Sequence, residues 1–336
     1  MNPSDASADP LLRVSNLSVS FHTREGEVQA ISDVSLTIDR RECLGVVGES
    51  GSGKSLTGAA IMGLLPRNAV VSGSIQFLGQ ELIGAREADL RHIRGRRISL
   101  ISQDALTALN PVHTVGKQIG EAIQVHDRTV SRAALRQKSI DLLGLVGIPD
   151  PSRRVDDYPH EFSGGMRQRV LIAMSVANEP DLIIADEPTT ALDVTVQAQI
   201  LDVLARIQDR TSSSIMLITH DLGVVAGVAD RVVVMYSGRL IEEGDTDNIF
   251  YDTAHPYTRG LLASLPRLDA RDRSTPLYRI QGFQPSPAER PSGCSFHPRC
   301  DVAMAGTCDI ELPARHKVGP DHFARCHLVA SPGESS

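Results

Sequence analysis

Residues 48–55 decide the fold, and they are Gly48, Glu49, Ser50, Gly51, Ser52, Gly53, Lys54 and Ser55. A Gly, four further residues and then Gly-Lys-Ser is the spacing of a phosphate-binding P-loop. The apolar run Cys43–Val47 predicts a buried strand before the loop, and Leu56 and Ala60 predict a helix after it. A strand, the loop and a helix in this order are the context that the motif requires. The alternative is an ordinary loop rich in Gly and Ser.

The glycines of this loop allow backbone amides to approach phosphate oxygens closely, with the positive end of the following helix behind them. In such a loop Lys54 reaches the β- and γ-phosphates of a nucleotide, and the Ser55 hydroxyl binds Mg²⁺. We therefore predict a site for ATP and Mg²⁺ over residues 48–56.

The composition is typical of a globular chain. Of its 336 residues, 41% are hydrophobic and 22% are charged, so the length suits one large domain and a smaller one. The net charge of −7 disfavours nucleic acid as a partner, because a phosphate backbone attracts a basic surface. The chain begins without the apolar stretch of a secretory signal, and it contains no run of about 18 apolar residues that would span a bilayer. We expect a cytoplasmic protein whose membrane role depends on partners.

Alternating apolar and polar residues within residues 11–47 predict strands of a sheet before the loop. The apolar positions are Leu17, Val19 and Phe21 in one set, and Val34, Leu36 and Ile38 in the other. Phe21 allows two interpretations, because its ring either stacks on adenine or packs in the core.

Three features follow the P-loop helix. Residues 97–102 predict a strand that ends at Gln103, whose amide can reach Mg²⁺ or an attacking water, and residues 115–148 predict a helical insertion. Ser163 is placed to cap a helix whose first turn holds Gly164 and Gly165. We interpret these two glycines as bare amides that face an anion, rather than as a packing requirement.

Residues 182–187 predict an apolar strand that ends in two carboxylates, Asp186 and Glu187. In a P-loop ATPase the first holds Mg²⁺ through water, and the second orients or deprotonates the attacking water. The alternative is a pair of solvated loop carboxylates. Further along, Asp193 lies in a turn, and an apolar strand over residues 214–219 delivers His220, which either contacts the γ-phosphate or is structural.

In this order the motifs resemble the nucleotide-binding subunit of an ABC transporter, over residues 11–250. Residues 48–55 resemble its Walker A motif, residues 163–166 its signature, residues 182–187 its Walker B motif and residues 191–193 its D-loop. Gln103 then corresponds to the Q-loop glutamine and His220 to the switch histidine. The resemblance implies an α/β fold: a P-loop ABC-type nucleotide-binding domain with a RecA-like core, an antiparallel β subdomain and a helical signature subdomain.

The same resemblance implies an ATPase in which two subunits sandwich ATP, each P-loop facing the signature of the other. The implied catalytic residues are Glu187, His220, Gln103 and Lys54. The implied nucleotide contacts outside the P-loop are Phe21, Gln103, Ser163, Gly164, Gly165, Asp186 and Asp193. The implied Mg²⁺ ligands are Ser55, Gln103 and Asp186.

Glu49 in the P-loop, the form of the signature and the sequence His-Pro-Tyr-Thr at residues 255–258 narrow the resemblance to dipeptide and oligopeptide importers. This branch implies an ATPase on the cytoplasmic side of the bacterial inner membrane, with two permease subunits, a second ABC ATPase and an extracytoplasmic solute-binding protein. The second ATPase is a different gene product or a copy of this chain. Nickel, glutathione or another small solute is the alternative cargo. The chain departs from the family at Arg41, and beside Gln103 at Ser102 and Ala105.

Two other functions compete with transport. A soluble ABC ATPase acting on DNA or ribosomes is disfavoured, because the sequence has one P-loop, one signature and no long coiled-coil insertion. A redox or iron sensor is suggested by the cysteine-bearing tail, but the intact set of hydrolytic residues makes sensing an addition to ATP hydrolysis.

Four of the five cysteines lie in a Pro-rich stretch beyond Pro266, where we predict little regular structure: Cys294, Cys300, Cys308 and Cys326. Such crowding in a cytosolic protein indicates a four-thiolate metal site. By resemblance to the C-terminal extension of peptide-importer ATPases, the expected group is a 4Fe-4S cluster. The alternatives are Zn²⁺, with neighbouring histidines (His297, His316, His322 and His327) completing its shell, and unligated cysteines. Cys43 is expected only to pack in its strand.

We predict three segments. Residues 1–10 form a disordered N-terminus, and residues 11–262 form the nucleotide-binding domain, with a helical subdomain over about 104–175. Residues 263–336 form a small irregular extension that carries the four-Cys metal site.

Overall fold

The computed structural model describes residues 9–24, 26–190, 192–265 and 278–329. Its strands are β1 (Leu12–Thr23), β2 (Gly26–Ile38), β3 (Cys43–Val47), β4 (Ala69–Phe77), β5 (Gln80–Glu81), β6 (Ile98–Ile101), β7 (Leu182–Asp186), β8 (Ser214–Thr219), β9 (Arg231–Tyr236), β10 (Arg239–Asp245), β11 (His316–Gly319) and β12 (His322–Ala324). Most of the predicted disordered N-terminus, residues 1–8, lies outside the described residues.

The α-helices are α1 (Lys54–Ile61), α2 (Glu87–Ile93), α3 (Ala105–Ala108), α4 (Val115–Gln124), α5 (Arg132–Leu145), α6 (Pro151–Arg154), α7 (Gly164–Ser175), α8 (Val194–Thr211), α9 (Leu222–Val225), α10 (Thr246–Tyr251) and α11 (Pro256–Ala263). Single 3₁₀ turns occupy Pro159–Glu161, Pro287–Glu289, His297–Arg299 and His327–Val329.

The chain divides into two compact units. Unit 1 comprises residues 1–11, 38–43 and 84–218, and unit 2 comprises residues 12–37, 44–83 and 219–336, as far as these are described. Each unit is therefore assembled from segments that are distant in the sequence.

An antiparallel sheet in unit 2 has the strand order β2-β1-β4-β5. Leu12 pairs with Phe77 at one end of the β1–β4 ladder and Phe21 pairs with Ala69 at the other, with a bulge between Ser15 and Ser18. Gly73 faces this bulge, and a Cβ atom there would lie 2.6 Å from the carbonyl oxygen of Asn16. The predicted antiparallel β subdomain is confirmed.

A second set of strands in unit 2 carries the P-loop. Strand β3 pairs in parallel with β9, and β9, β10, β12 and β11 then pair in antiparallel succession. Every residue of β3 is buried, as expected for an apolar strand without alternation. The loop of residues 48–53 follows directly at its carboxyl end.

Unit 1 combines a parallel sheet, in the order β6-β7-β8, with helices α2 to α8. Helices α4, α5 and α7 pack on one another, and α3 packs on α7. Polar side chains begin three of these helices: Thr114 caps α4, Ser131 caps α5 and Ser163 caps α7. The predicted helical signature subdomain is thus present.

The described part of the C-terminal extension is mostly irregular, as predicted, but not entirely. Residues 316–324 form a hairpin of β11 and β12, and β12 pairs with β10 through Glu242 opposite Ala324 and Glu243 opposite Phe323. The count of prolines pointed away from regular structure. Pro320 lies in the turn between β11 and β12, where a proline removes no hydrogen bond from the ladder, so the prolines did not exclude this hairpin.

Candidate functional site

Steric limits on backbone and side chain select glycine at the P-loop. Gly48 has φ +157°, and a Cβ atom on it would lie 2.2 Å from the carbonyl oxygen of Met235 in β9. Gly53, the residue before α1, has φ +102° in the left-handed region. A larger residue at either position would displace the backbone that brings the loop amides together.

Lys54 is held inside the loop that it follows. It is 4% exposed, and its Nζ atom donates hydrogen bonds to the carbonyl oxygens of Gly48 (2.7 Å) and Glu49 (2.9 Å). A buried ammonium group favours an anion beside it, because burial leaves its charge poorly solvated. The loop therefore presents a fixed positive charge.

A polar side chain of the loop is also suited to bind a phosphate oxygen. The Ser52 side chain is fully buried, and its hydroxyl makes no hydrogen bond to any described residue. A buried hydroxyl without a partner is costly, and a phosphate oxygen would satisfy it. Ser55 is exposed in the first turn of α1 and Leu56 is half-buried beside it.

Phe21 is half-buried near the end of β1, in the antiparallel sheet of unit 2. It does not belong to the fully packed core. Its predicted stacking on adenine stays a prediction.

In unit 1 the side chains of Gln103 and Glu187 lie together. Nε2 of Gln103 donates to Oε2 of Glu187 at 2.9 Å, and the Thr190 hydroxyl donates to the same oxygen at 2.7 Å. Glu187 itself has φ +46°, and its amide donates to the carbonyl oxygen of Ile218 at the end of β8. The carboxylate is thus fixed in place directly after Asp186, the last residue of β7.

The signature residues begin helix α7. The Ser163 hydroxyl accepts a hydrogen bond from the amide of Met166, which confirms the predicted cap. Asp193 caps the neighbouring helix α8 by accepting from the amide of Val196 at 3.0 Å. Ala191, in the predicted D-loop, lies outside the described residues.

The two signature glycines have different surroundings, which corrects our interpretation of one of them. A Cβ atom on Gly165 would lie 2.5 Å from Cγ1 of Val196, so packing against α8 requires a glycine there. A Cβ atom on Gly164 would meet nothing within 4 Å. Packing therefore explains the glycine at residue 165 but not the one at residue 164, and the contact of either amide with an anion stays a prediction.

His220 follows β8 and is exposed. The next residue, Asp221, begins α9 and accepts a hydrogen bond from the amide of Gly223 at 2.8 Å. The local backbone is therefore fixed on the C-terminal side of the histidine.

Four cysteines of unit 2 line one small cavity: Cys294, Cys300, Cys308 and Cys326. All four are free thiols. The amide of Cys294 donates to the carbonyl oxygen of Cys308 at 2.8 Å, which ties two of their backbone segments together. No group of three or more His, Cys, Asp or Glu side chains in the described part of the chain is arranged to hold a metal ion, so the metal site stays a prediction.

The chemistry of the cavity fits a group bound by thiolates. Burial raises the pKa of Cys294 to about 11, and it also raises the pKa values of Cys300 and Cys326. These thiols hold their protons at neutral pH unless a cation replaces them. His255 lines the same cavity, as do two of the alternative zinc ligands, His297 and His327, whereas His316 and His322 are not among its lining residues.

Comparisons with known proteins agree with this geometry. A family model described as "ABC transporter" matches residues 31–190, and one described as "Oligopeptide/dipeptide transporter, C-terminal region" matches residues 241–308. The probable peptide ABC transporter ATP-binding protein y4tR of Sinorhizobium fredii is 47% identical over 96% of this chain and 96% of its own length. The dipeptide transport ATP-binding protein DppD of Bacillus subtilis is 50% identical over 95% of each chain.

The chain belongs to the ABC transporter ATP-binding subunits. A solved structure of the same kind, the ATP-binding cassette MJ0796 as a post-hydrolysis dimer bound to ADP and Pi, has a TM-score of 0.63. It is 25% identical and covers 70% of this chain and 98% of its own. The predicted ABC-type fold is therefore confirmed.

Within this ABC subunit, two sets of predicted site residues are each brought together. Lys54 contacts Gly48 and Glu49 in unit 2, and Gln103 contacts Glu187 in unit 1. Among the described helices, none is both long and apolar enough to cross a bilayer.

Sequence reasoning missed several residues of the site. Thr190 fixes Glu187, Val196 packs on the signature, and His255 shares the cysteine cavity. For Thr190 a signal existed, because a Thr three residues after a carboxylate in a turn is placed to bond it. For Val196 and His255 the contacts depend on tertiary packing.

Proposed function

We propose that this ABC subunit hydrolyses ATP to drive the import of dipeptides or oligopeptides. The observation that carries the proposal is the Glu187 carboxylate, which two donors fix at the end of a buried strand that also presents Asp186. A carboxylate held in this way is suited to orient or deprotonate an attacking water.

The P-loop binds the phosphates in this account. Lys54 and the loop amides neutralise negative charge, and the Ser52 hydroxyl gains a partner. Phe21 stacks on the base. These are positioning and electrostatic contributions, which dominate catalysis of phosphoryl transfer.

Oxygen donors suited to Mg²⁺ are available on Ser55, Gln103 and Asp186, and hard oxygen ligands are the ones that this ion prefers. Bound Mg²⁺ would supply positive charge against the phosphate oxygens. Glu187 acts on the water, and His220 contacts the γ-phosphate. In a second subunit, Ser163, Gly164, Gly165 and Asp193 face that nucleotide.

The cargo is proposed from the relatives and from the matched C-terminal region. Proteoliposomes that contain the full transporter and its binding protein would be supplied in turn with dipeptide, hexapeptide, Ni²⁺ and glutathione. We expect ATP hydrolysis to be stimulated by a peptide. Stimulation by Ni²⁺ or glutathione alone would refute the peptide cargo and leave the ATPase assignment intact.

We also propose that the subunit is peripheral on the cytoplasmic face of the inner membrane. Its partners are two permeases, a second ABC ATPase and an extracytoplasmic solute-binding protein. Affinity purification from detergent-solubilised membranes, followed by mass spectrometry, should recover both permeases and a second ATPase in equal amount. Recovery of ribosomes or DNA instead would contradict transport, and recovery of this chain as the only ATPase would indicate a homodimer.

For the cysteine cavity we propose a 4Fe-4S cluster held by Cys294, Cys300, Cys308 and Cys326. The support is that four thiols and no carboxylate line one cavity, a donor set that suits iron–sulfur and zinc better than harder ions. Such a group would provide a covalent cross-link between segments of the extension.

Anaerobic purification tests this assignment. We expect absorbance near 400 nm (the region of thiolate-to-iron charge transfer) and about four irons per chain. The Cys300→Ser variant should lose both, whereas Cys43→Ala, which changes a cysteine of strand β3, should keep them. A colourless protein with one zinc per chain would refute the cluster.

A further inference from the structure

Glu49 is the one charged residue inside the Gly/Ser part of the P-loop, and all three of its polar groups are engaged. Its amide donates to the Tyr257 hydroxyl at 2.9 Å, its carbonyl oxygen accepts from Lys54 at 2.9 Å, and its carboxylate accepts from Nη1 of Arg299 at 3.0 Å. Two of these partners, Tyr257 and Arg299, come from the C-terminal part of unit 2, and the third, Lys54, is the lysine expected to contact phosphate. Glu49 therefore connects the C-terminal part of unit 2 to the phosphate-binding lysine.

Arg299 directly precedes Cys300, in the 3₁₀ turn of His297–Arg299. Its side chain is only 7% exposed, and its Nε atom donates to the carbonyl oxygen of Gln281 at 2.9 Å. Nη1 also reaches the Tyr236 hydroxyl at 3.3 Å. A buried guanidinium persists only with its charge paired, so the Glu49 carboxylate fixes this arginine and is fixed by it.

Aromatic packing joins the same two regions. Tyr257 is fully buried, and its ring centroid lies 4.7 Å from that of Tyr236 and 5.4 Å from that of Phe296. Phe296 lies between Cys294 and Cys300 in the sequence and lines the cysteine cavity. The wall of the cavity and the support of the P-loop are thus one close-packed cluster, which transmits displacement.

We propose that Arg299 and Tyr257 are positioning residues for the P-loop. Through Glu49, the cysteine-bearing segment (residues 278–329) sets the affinity of the loop for ATP. If the cysteine cavity loses its structure, Arg299 and Phe296 move, Glu49 is released, and the carbonyl oxygen that accepts from Lys54 moves with it. The inference rests on the proposed binding of ATP.

A simple anchor for the extension would predict something different. In that case breaking the Arg299–Glu49 pair would lower the stability of the fold but leave the ATP affinity of the folded protein unchanged. Arg325 offers a matched control, because it is also a partly buried arginine of the extension and pairs with Asp33 in β2 at 2.7 Å, without touching the P-loop.

The first test measures the equilibrium Kd of the full-length chain for MgATP by calorimetry, with folding checked by circular dichroism. We expect Arg299→Gln and Glu49→Gln each to weaken binding about tenfold, within the usual range of coupling between sites. The double variant should be no weaker than either single variant, since both remove the same pair. Arg325→Gln should bind as the wild type does.

Three results would overturn the inference: an unchanged Kd in folded Arg299→Gln, fully additive effects in the double variant, or equal weakening in Arg325→Gln. Should Arg299→Gln fail to fold, Tyr257→Phe replaces it. That change removes only the hydroxyl that accepts from the Glu49 amide, and it should weaken binding about threefold or more, as the loss of a single hydrogen bond does.

The second test addresses the cysteines. Cys300→Ser should weaken MgATP binding about as much as Arg299→Gln does, and it should add nothing in the Arg299→Gln background. Wild-type affinity in Cys300→Ser would refute the role of the segment. The proposed function itself fails if the wild-type protein binds no ATP, or if Lys54→Ala binds ATP as tightly as the wild type does. Failure of this inference alone would leave wild-type ATP binding intact, so the two failures are distinguishable.

Discussion

The P-loop and the cysteine-bearing segment are held in different ways. In the P-loop and the start of α1, the bonds from Lys54 to Gly48 and Glu49 and from Thr57 to Gly53 join residues four to six positions apart. In the cysteine-bearing segment, Arg299 and Arg290 bond residues about 250 positions away, and Arg325 bonds Asp33 292 positions away. The P-loop thus has short-range bonds of its own in addition to the long-range bonds of Glu49, whereas these bonds of the cysteine-bearing segment all depend on distant parts of unit 2.

This difference predicts where each region is vulnerable. A substitution in the P-loop should abolish ATP binding directly, because it removes a group that contacts phosphate. A change in the cysteine-bearing segment should act at a distance and by smaller amounts.

The largest effect is expected for Lys54→Ala, which removes the buried charge of the loop. MgATP affinity should fall by a factor of about 100 or more, because a charge-assisted contact to phosphate is lost in a site shielded from water. Equilibrium binding measures it. Lys117→Ala, on the half-exposed pair with Glu121 in α4, is the control and should bind normally. An equal loss of MgATP affinity in both variants would show that the effect is not specific to the lysine of the P-loop.

The next effect sharpens the steric side of the comparison. Gly48→Ala should destabilise unit 2 by about 3 kcal/mol in urea unfolding, because its Cβ would overlap the Met235 carbonyl oxygen as well as strain the backbone. Gly79 has φ +77°, and a Cβ atom on it would meet nothing within 4 Å. Gly79→Ala should therefore lower the free energy of unfolding by only about 1 kcal/mol. Equal losses would show that the backbone angle alone selects glycine at residue 48.

A smaller effect is expected from pH at His255, which lines the cysteine cavity. Burial lowers the pKa of His255 from 6.5 to about 4, so its imidazole is neutral in the folded protein. The unfolded chain binds a proton more readily, and the stability that His255 contributes above pH 6.5 is lost progressively as the pH falls towards 4.

Urea unfolding at pH 7 and pH 5 checks this expectation. The wild type should lose about 2 kcal/mol more between these values than His255→Gln, which has no titrating imidazole there. An equal loss in both proteins would mean that His255 takes up its proton while folded.

Much of the fold could be predicted from local patterns. Strand β8 has the bounds that its apolar run indicated, strand β7 ends at Asp186, one residue before the predicted end at Glu187, and the predicted cap at Ser163 lies at the start of α7. Each depends on residues close in sequence, where periodicity and capping chemistry act.

What could not be predicted depends on distant partners. The need for glycine at residue 165 comes from Val196, and the engagement of Glu49 comes from Arg299 and Tyr257. The β9–β10 hairpin was overlooked although Ser237 and Gly238, both with positive φ, form a turn between two apolar runs. That signal was available in the sequence.

The central claim is that Glu187 performs hydrolysis, and the assembled transporter containing Glu187→Gln tests it most directly. We predict that phosphate release falls by a factor of about 1,000, within the range for loss of a general base, while bound ATP is retained. Glu179→Gln, an exposed glutamate of unit 1, should behave as the wild type does. Release of phosphate from Glu187→Gln at the wild-type rate would contradict the account.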